Sequence, residues 1–268
     1  MTNTSYHNKT LKELTTEEAE LFAKELVANI KSSLGSLDFL GKEFKNPFKI
    51  IFEKILSTVN YAFAMFQEST KQLRIPIGTL ADKGWFISSN TSIPDIIELA
   101  KLIKSDKSIE VDKWMIDFFK KELNEIENQV VKNFPRRSII LRSAFTAHRK
   151  AEYELSIPVM LTQAGGMCIE LTGIDLYSKK KGVPKTSKFA DSFNSDVFIS
   201  SILQPLRQCN QIITDTHDLI DTSGILNRHG ILHGIIIDYA CETNAYKCVS
   251  LLNYLSNLVD YEIKGEIT

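Results

Sequence analysis

Apolar residues recur along most of this chain at the three- and four-residue spacing that gives a helix one buried face. Residues 1–14 lack that pattern and are expected to fray. Thr15-Thr16-Glu17-Glu18 then has the form of a capping box, and Leu21, Phe22, Leu26 and Ile30 predict a helix to about residue 33. Gly35 and Gly41 loosen the connection. Pro47 suits the first turn of a second helix, whose Phe48, Ile51, Phe52, Ile55, Leu56, Val59 and Phe63 make it broadly apolar. Residues 73–92 carry Pro76, Gly78 and Gly84 and read as irregular. Ser92-Ile93-Pro94-Asp95 starts a third helix that should end before Asp106. Val111, Trp114, Met115, Phe118, Leu123, Ile126 and Val130 mark residues 109–134 as an amphipathic helix.

Pro135 breaks the pattern, and the domain boundary is placed there: an N-terminal helical region over 1–134 and a second helical domain over 135–268. Residues 136–149 predict a helix. A further one covers 151–175, with Pro158 as a kink or break and Gly165-Gly166 as a point of close backbone approach. Residues 177–188 form a basic loop, 193–208 another helix, and 227–234 a short one. A last helix starts near Thr243 and carries Val249, Leu251, Leu252, Leu255 and Leu258. Ile235-Ile236-Ile237 is β-branched but too short to argue for a sheet. The fold expected is all-α, a helical bundle of eight or more helices.

Composition agrees. Apolar residues make up 43%, enough to bury a core, while only 12 Gly and 7 Pro argue against a turn-rich β protein. Lys+Arg number 32 against 33 Asp+Glu, a net charge of -1, so any nucleic-acid contact must come from a local patch. The first residues do not pair a basic region with an apolar one, and no segment approaches ~18 uninterrupted apolar residues. No signal peptide and no membrane span are expected, and the protein is expected to be cytoplasmic. Cys168, Cys209, Cys241 and Cys248 include no Cys-x-x-Cys pair and read as small residues in a reduced compartment.

The chemistry concentrates in Asn227-Arg228-His229-Gly230-Ile231-Leu232-His233. Arginine presents a planar fork of donors suited to phosphate. Histidine holds or releases a proton near neutral pH. RNA carries its own nucleophile, the 2′-OH. His233 is placed to act as general base, and Arg228 to neutralise charge on the phosphoryl oxygens. Asn227 and His229 would orient the phosphate or protonate the leaving oxygen. No metal and no cofactor is required. Residues five apart on a helix differ in direction by about 140°, so convergence of Arg228 and His233 depends on the reach of the arginine.

An arginine, a polar residue, three more residues and a histidine resemble the signature of the HEPN superfamily, carried here by Arg228, His229, Gly230-Ile231-Leu232 and His233. The surrounding segment is similar to abortive-infection-like bacterial proteins with a HEPN-like C-terminal part. Lys83-Gly84-Trp85-Phe86 and Phe134-Pro135-Arg136-Arg137 are also similar to stretches of such proteins. The resemblance covers the last half of the chain. It implies a four- or five-helix bundle, a homodimer, metal-independent endoribonuclease activity on RNA in a defence or toxin-like context, and an antitoxin or other regulatory partner. One departure concerns regulation. Some members carry a tyrosine two residues after the histidine, whereas this chain has Ile235 there and its nearest tyrosine is Tyr239.

Other readings compete. Arg228 and His233 could serve packing alone in a non-catalytic interaction or dimerisation protein. His229 and His233 lie four apart and share a helix face, as a metal pair would, with Asp238 or Glu242 as further ligands. A zincin would need Glu where Gly230 stands. Glu170 and Asp175 are candidate carboxylate partners for Arg228. Lys179, Lys180, Lys181 and Lys185 are weak candidates for contact with a nucleic-acid backbone. Arg136, Arg137, Arg142, Arg149 and Lys150 read as a solvated face, and His148 as structural.

Overall fold

The structure is a computed structural model that describes residues 72–194, 197–216 and 223–260. These fall in one compact unit. The helices expected at 15–33 and 47–66 lie outside the described residues.

The described residues are about two-thirds helical: α1 (Arg74–Asp82), α2 (Ile93–Lys104), α3 (Ser108–Asn133), α4 (Ser138–Arg149), α5 (Tyr153–Thr172), α6 (Ser187–Asp191), α7 (Val197–Ile202), α8 (Arg228–Leu232) and α9 (Glu242–Asp260). One two-stranded antiparallel ribbon, β1 (Lys179–Lys180) and β2 (Val183–Pro184), interrupts them. The all-α bundle expected from the periodicity is therefore what forms.

The bundle is built around α9, which packs along both α3 and α5, while α4 and α5 form an antiparallel hairpin. Val249, Leu252, Leu255 and Leu258 of α9 are fully buried against Phe119 and Val130 of α3 and Ile157, Met160, Leu161 and Ala164 of α5. Helices on both sides of Pro135 share this core, so no seam in the packing falls there among the described residues. Pro135 instead opens a single 3₁₀ turn, Pro135–Arg137, that reverses α3 into α4.

Local chemistry sets the helix ends. The Ser92 hydroxyl accepts from the Asp95 N–H at the start of α2, with a proline early in the first turn. Gly173, at φ 72°, ends α5. Pro158 is accommodated inside α5. Two expectations are corrected. Residues 74–82 are helical despite Pro76 and Gly78, because Pro76 falls within the first turn and Gln204 and Gln208 lie over Gly78, where a Cβ would meet Gln208 Oε1 at 2.8 Å. The helix expected over 193–208 is broken into α7 and a 3₁₀ turn at Gln204–Leu206, because Pro205 cannot continue the ladder.

The glycine pair of α5 admits side chains rather than another backbone. The Tyr177 ring lies over Gly165 and the Arg137 guanidinium over Gly166, each closer than a Cβ would allow. Arg137 continues to Glu170 at 2.7 Å and donates to Gln163 at 2.9 Å. Arg142 and Arg149 converge on Glu127, whose side chain is only 10% exposed. Carboxylates thus neutralise much of the basic run, so it is a set of braces between α3, α4 and α5 rather than a free cationic face. The Lys83-Gly84-Trp85-Phe86 stretch is also a brace. Gly84 takes φ 81°, the Trp85 indole donates to Asp112 at 2.7 Å, and the Phe86 N–H donates to Ser250.

Candidate functional site

The motif occupies α8 and its two ends. Asn227 is extended (φ -126°, ψ 119°) and caps the helix through Oδ1, which accepts from the Gly230 N–H at 2.8 Å. Its Nδ2 donates to the carbonyls of Gln211 and Thr214 at 2.7 and 2.8 Å, and the residue is fully buried. Every polar atom of that side chain is spent on the scaffold. Asn227, expected to orient a phosphate or protonate a leaving group, is placed here as a scaffold residue.

The other end is equally fixed. His233 is the C-cap, and Gly234 follows at φ 68°. Its N–H donates to the Ile231 carbonyl, while that of Ile235 donates to the Gly230 carbonyl at 2.8 Å, the bond pair of a Schellman termination. Ile236 folds back over Gly230 so closely that a Cβ there would sit 2.5 Å from its Cδ1. A five-residue helix is too short to hold itself in water. Here both ends and one face are pinned.

That pinning decides where the remaining side chains go. His229 is half-buried and His233 exposed, and their rings lie 4.4 Å apart between centroids, tilted by 48°. The i,i+4 spacing expected to align them does so. Arg228, at the opposite end, lays its guanidinium 5.0 Å from the centre of the Tyr177 ring. Its Nε is buried without a hydrogen-bond partner. Arg228 and His233 stand about 7.5 Å apart along the helix axis. Among the described residues no hydrogen bond or ion pair joins them.

Neither candidate carboxylate serves Arg228. Glu170 is held by Arg137, and Asp175 Oδ1 accepts from the Tyr177 N–H at 3.2 Å. The partner of Arg228 is the face of Tyr177, an arrangement worth about 0.5–2 kcal/mol. Tyr177 is itself fixed, since its hydroxyl donates to the Leu161 carbonyl at 2.5 Å in the space Gly165 leaves open. Burial raises its phenol well above the ordinary value, against the opposing pull of Arg228, so the ring under the guanidinium is neutral at pH 7. Sequence reasoning missed this platform. The signal available was Gly165, a helix-interior glycine that announced a close approach, and a tyrosine directly before the lysine run.

The expected basic loop is a hairpin. Lys181 and Gly182, at φ 52° and 77°, make the tight turn between β1 and β2. Lys180, Lys181 and Lys185 are exposed on it. Lys179 is not available for nucleic acid in the same way: its ammonium pairs with Asp215 at 2.7 Å and the side chain is 13% exposed. Tyr177, the ring beneath Arg228, lies two positions before this hairpin.

The proposed further metal ligands are committed elsewhere. Asp238 accepts from the Gly224 N–H and the Ser223 hydroxyl, which hold its carboxyl below the usual range. Glu242 pairs with Lys120 at 3.6 Å. Among the described residues no cluster of three or more His, Cys, Asp or Glu side chains is placed to hold a metal ion. A small cleft lined by Ile87, Ser88, Ser89, Ile202, Tyr254 and Asn257 sits along the C-terminal half of α9 and contains none of the motif residues.

The four cysteines are free thiols. Burial pushes Cys168 up to about 12 and Cys248 higher still, so both stay protonated and unreactive. His148 is buried edge-on against Tyr246 at 4.7 Å, and burial, assisted by Arg149, lowers it to about 4. It is neutral at pH 7 and structural, as its sequence context suggested. Among the described residues no helix is long and apolar enough to cross a membrane.

No family model matches this chain, and no curated protein or solved structure is significantly similar to it.

Proposed function

We propose that this protein is a metal-independent endoribonuclease that cleaves RNA by attack of the 2′-OH, in a defence or toxin-like setting. The observation that carries the reading is the His229–His233 pair, two adjacent imidazoles held at the surface on a short helix whose other end presents Arg228. Two imidazoles supply both halves of the proton transfer. His233 takes the 2′-OH proton as the 2′-oxygen bonds to phosphorus. The P–O5′ bond breaks, and the 5′-oxygen receives its proton from the His229 imidazolium. The products are a 2′,3′-cyclic phosphate and a free 5′-OH. Arg228, held at the Tyr177 face, stabilises the charge on the non-bridging oxygens. Lys180, Lys181 and Lys185 carry the flanking backbone. A symmetric homodimer would set two such sites side by side, and an antitoxin would act by covering them.

The test is incubation of mixed RNA with wild type and His233→Ala in EDTA. Cleavage by wild type alone, leaving cyclic-phosphate ends, is the expected result. Intact RNA with both proteins, or cleavage with both, sinks the proposal.

A second reading has its own observation. Ile235 and Ile237, directly after the motif, are 57% and 83% exposed. Exposed apolar residues beside a pinned helix favour a non-catalytic interaction protein whose partner covers them. That reading predicts no cleavage and loss of the partner in an Ile237→Asp variant.

A further inference from the structure

We propose that His229 and His233 together form a chelating site for a borderline divalent transition metal, zinc(II) or copper(II), and that an ion bound there shuts off the imidazoles. The geometry is the argument. Given metal–nitrogen bonds near 2.1 Å, two imidazoles on one ion place their centroids roughly 4.5 Å apart at the right angle of square-planar copper(II) and about 5.2 Å apart at the tetrahedral angle of zinc(II). The rings here stand 4.4 Å apart, tilted by 48°, so the pair as it stands sits nearest the copper(II) spacing. No hydrogen bond of either ring occurs among the described residues, so binding breaks nothing.

The spacing is also pre-set. Asn227 fixes the first turn of α8, the Gly234 termination fixes the last, and Ile236 against Gly230 holds the helix from behind. A chelate whose two arms are held at the binding distance loses little freedom when the ion arrives. Imidazole suits zinc and copper among the common divalent ions, and copper(II) should bind more tightly than zinc(II).

The site is open. Asp238 and Glu242 are engaged with Gly224 and Lys120, so water fills the remaining positions. It is therefore an exchangeable site, unlike a closed four-ligand structural zinc. The ion occupies the nitrogen lone pairs that proton transfer needs. Only this inhibitory consequence rests on the nuclease reading, while the binding site rests on the ring pair alone.

The experiment is titration of the full chain with zinc(II) and, separately, copper(II) in a non-chelating buffer, read by calorimetry. His229→Gln and His233→Gln should each lose more than about tenfold in affinity, since even outer residues of a metal site cost that much. A double variant that binds as tightly as wild type overturns the site. Copper(II) also broadens imidazole resonances, so His229 and His233 should broaden first among the five histidines of the native chain. Broadening that begins at another histidine overturns the proposal without any variant. In an RNA assay, zinc(II) should stop cleavage and EDTA restore it. Binding through the pair in a chain that never cleaves RNA removes the nuclease reading and leaves the metal site standing.

Discussion

Two helices near the C-terminus treat their polar side chains in opposite ways. In α9, Ser250, Ser256 and Asn257 are buried, and their bonds run to the neighbouring backbone and to α3: Phe86 N–H to Ser250, Asn133 to Ser256, and Gln129 to Asn257. They stitch one helix to the elements around it. In α8, Asn227 does the same work, but His229 and His233 face outward, and Arg228 rests on a ring with its Nε unpartnered. Nineteen residues of α9 hold the bundle, and five residues of α8 are held by it. Asn253 and Asn257 of α9 also bury an unpartnered Nδ2, as Arg228 buries its Nε. What sets α8 apart is the imidazole pair: His233 exposed and His229 half-buried, neither ring bonded to the scaffold among the described residues.

The contrast can be broken first at the scaffold. Phe119 is fully buried between Trp85 and Phe118, at centroid distances of 6.3 and 5.2 Å. Phe119→Ala should cost about 3–5 kcal/mol in urea unfolding. A loss under about 1 kcal/mol would mean that the core does not run through α3 as described.

The next effect is a pH dependence. The folded chain holds His148 at about 4, below the 6.5 of the unfolded chain, so the unfolded state binds the extra proton. Stability from this group is complete above pH 6.5 and is lost as pH falls toward 4, by roughly 3 kcal/mol in all. A His148→Phe variant should flatten that slope between pH 6.5 and 4. An unchanged slope would place the acid sensitivity elsewhere.

Asn227→Ala should come third. It removes a helix cap and strands the carbonyls of Gln211 and Thr214, for a loss of about 2 kcal/mol. Asn227→Asp keeps the cap acceptor but turns a buried carboxylate oxygen toward those two carbonyls, so it should lose at least as much. Equal stability of wild type and Asn227→Ala would return this residue to the candidates for chemistry.

The periodic segments were readable because their cause is local. Ser92 and Pro94 announced α2, and Val111, Met115, Leu123 and Ile126 announced the buried stripe of α3. The helix over residues 74–82 was not, because what permits Gly78 there is Gln208, 130 residues away. Pro135 shows a related limit of local pattern: a proline breaks a ladder without breaking a core, and helices on both sides of it share one. At the site, the spacing of His229 and His233 predicted their proximity. The platform under Arg228 depends on Tyr177 crossing Gly165, and no local pattern encodes a contact between distant side chains.

The most direct test of the distinction between packing and chemistry pairs two measurements on one variant, His233→Ala. Because the ring is exposed, its stability in urea should stay within about 0.5 kcal/mol of wild type while RNA cleavage in EDTA disappears. Loss of stability with cleavage unchanged would contradict the account and make the imidazole a packing group.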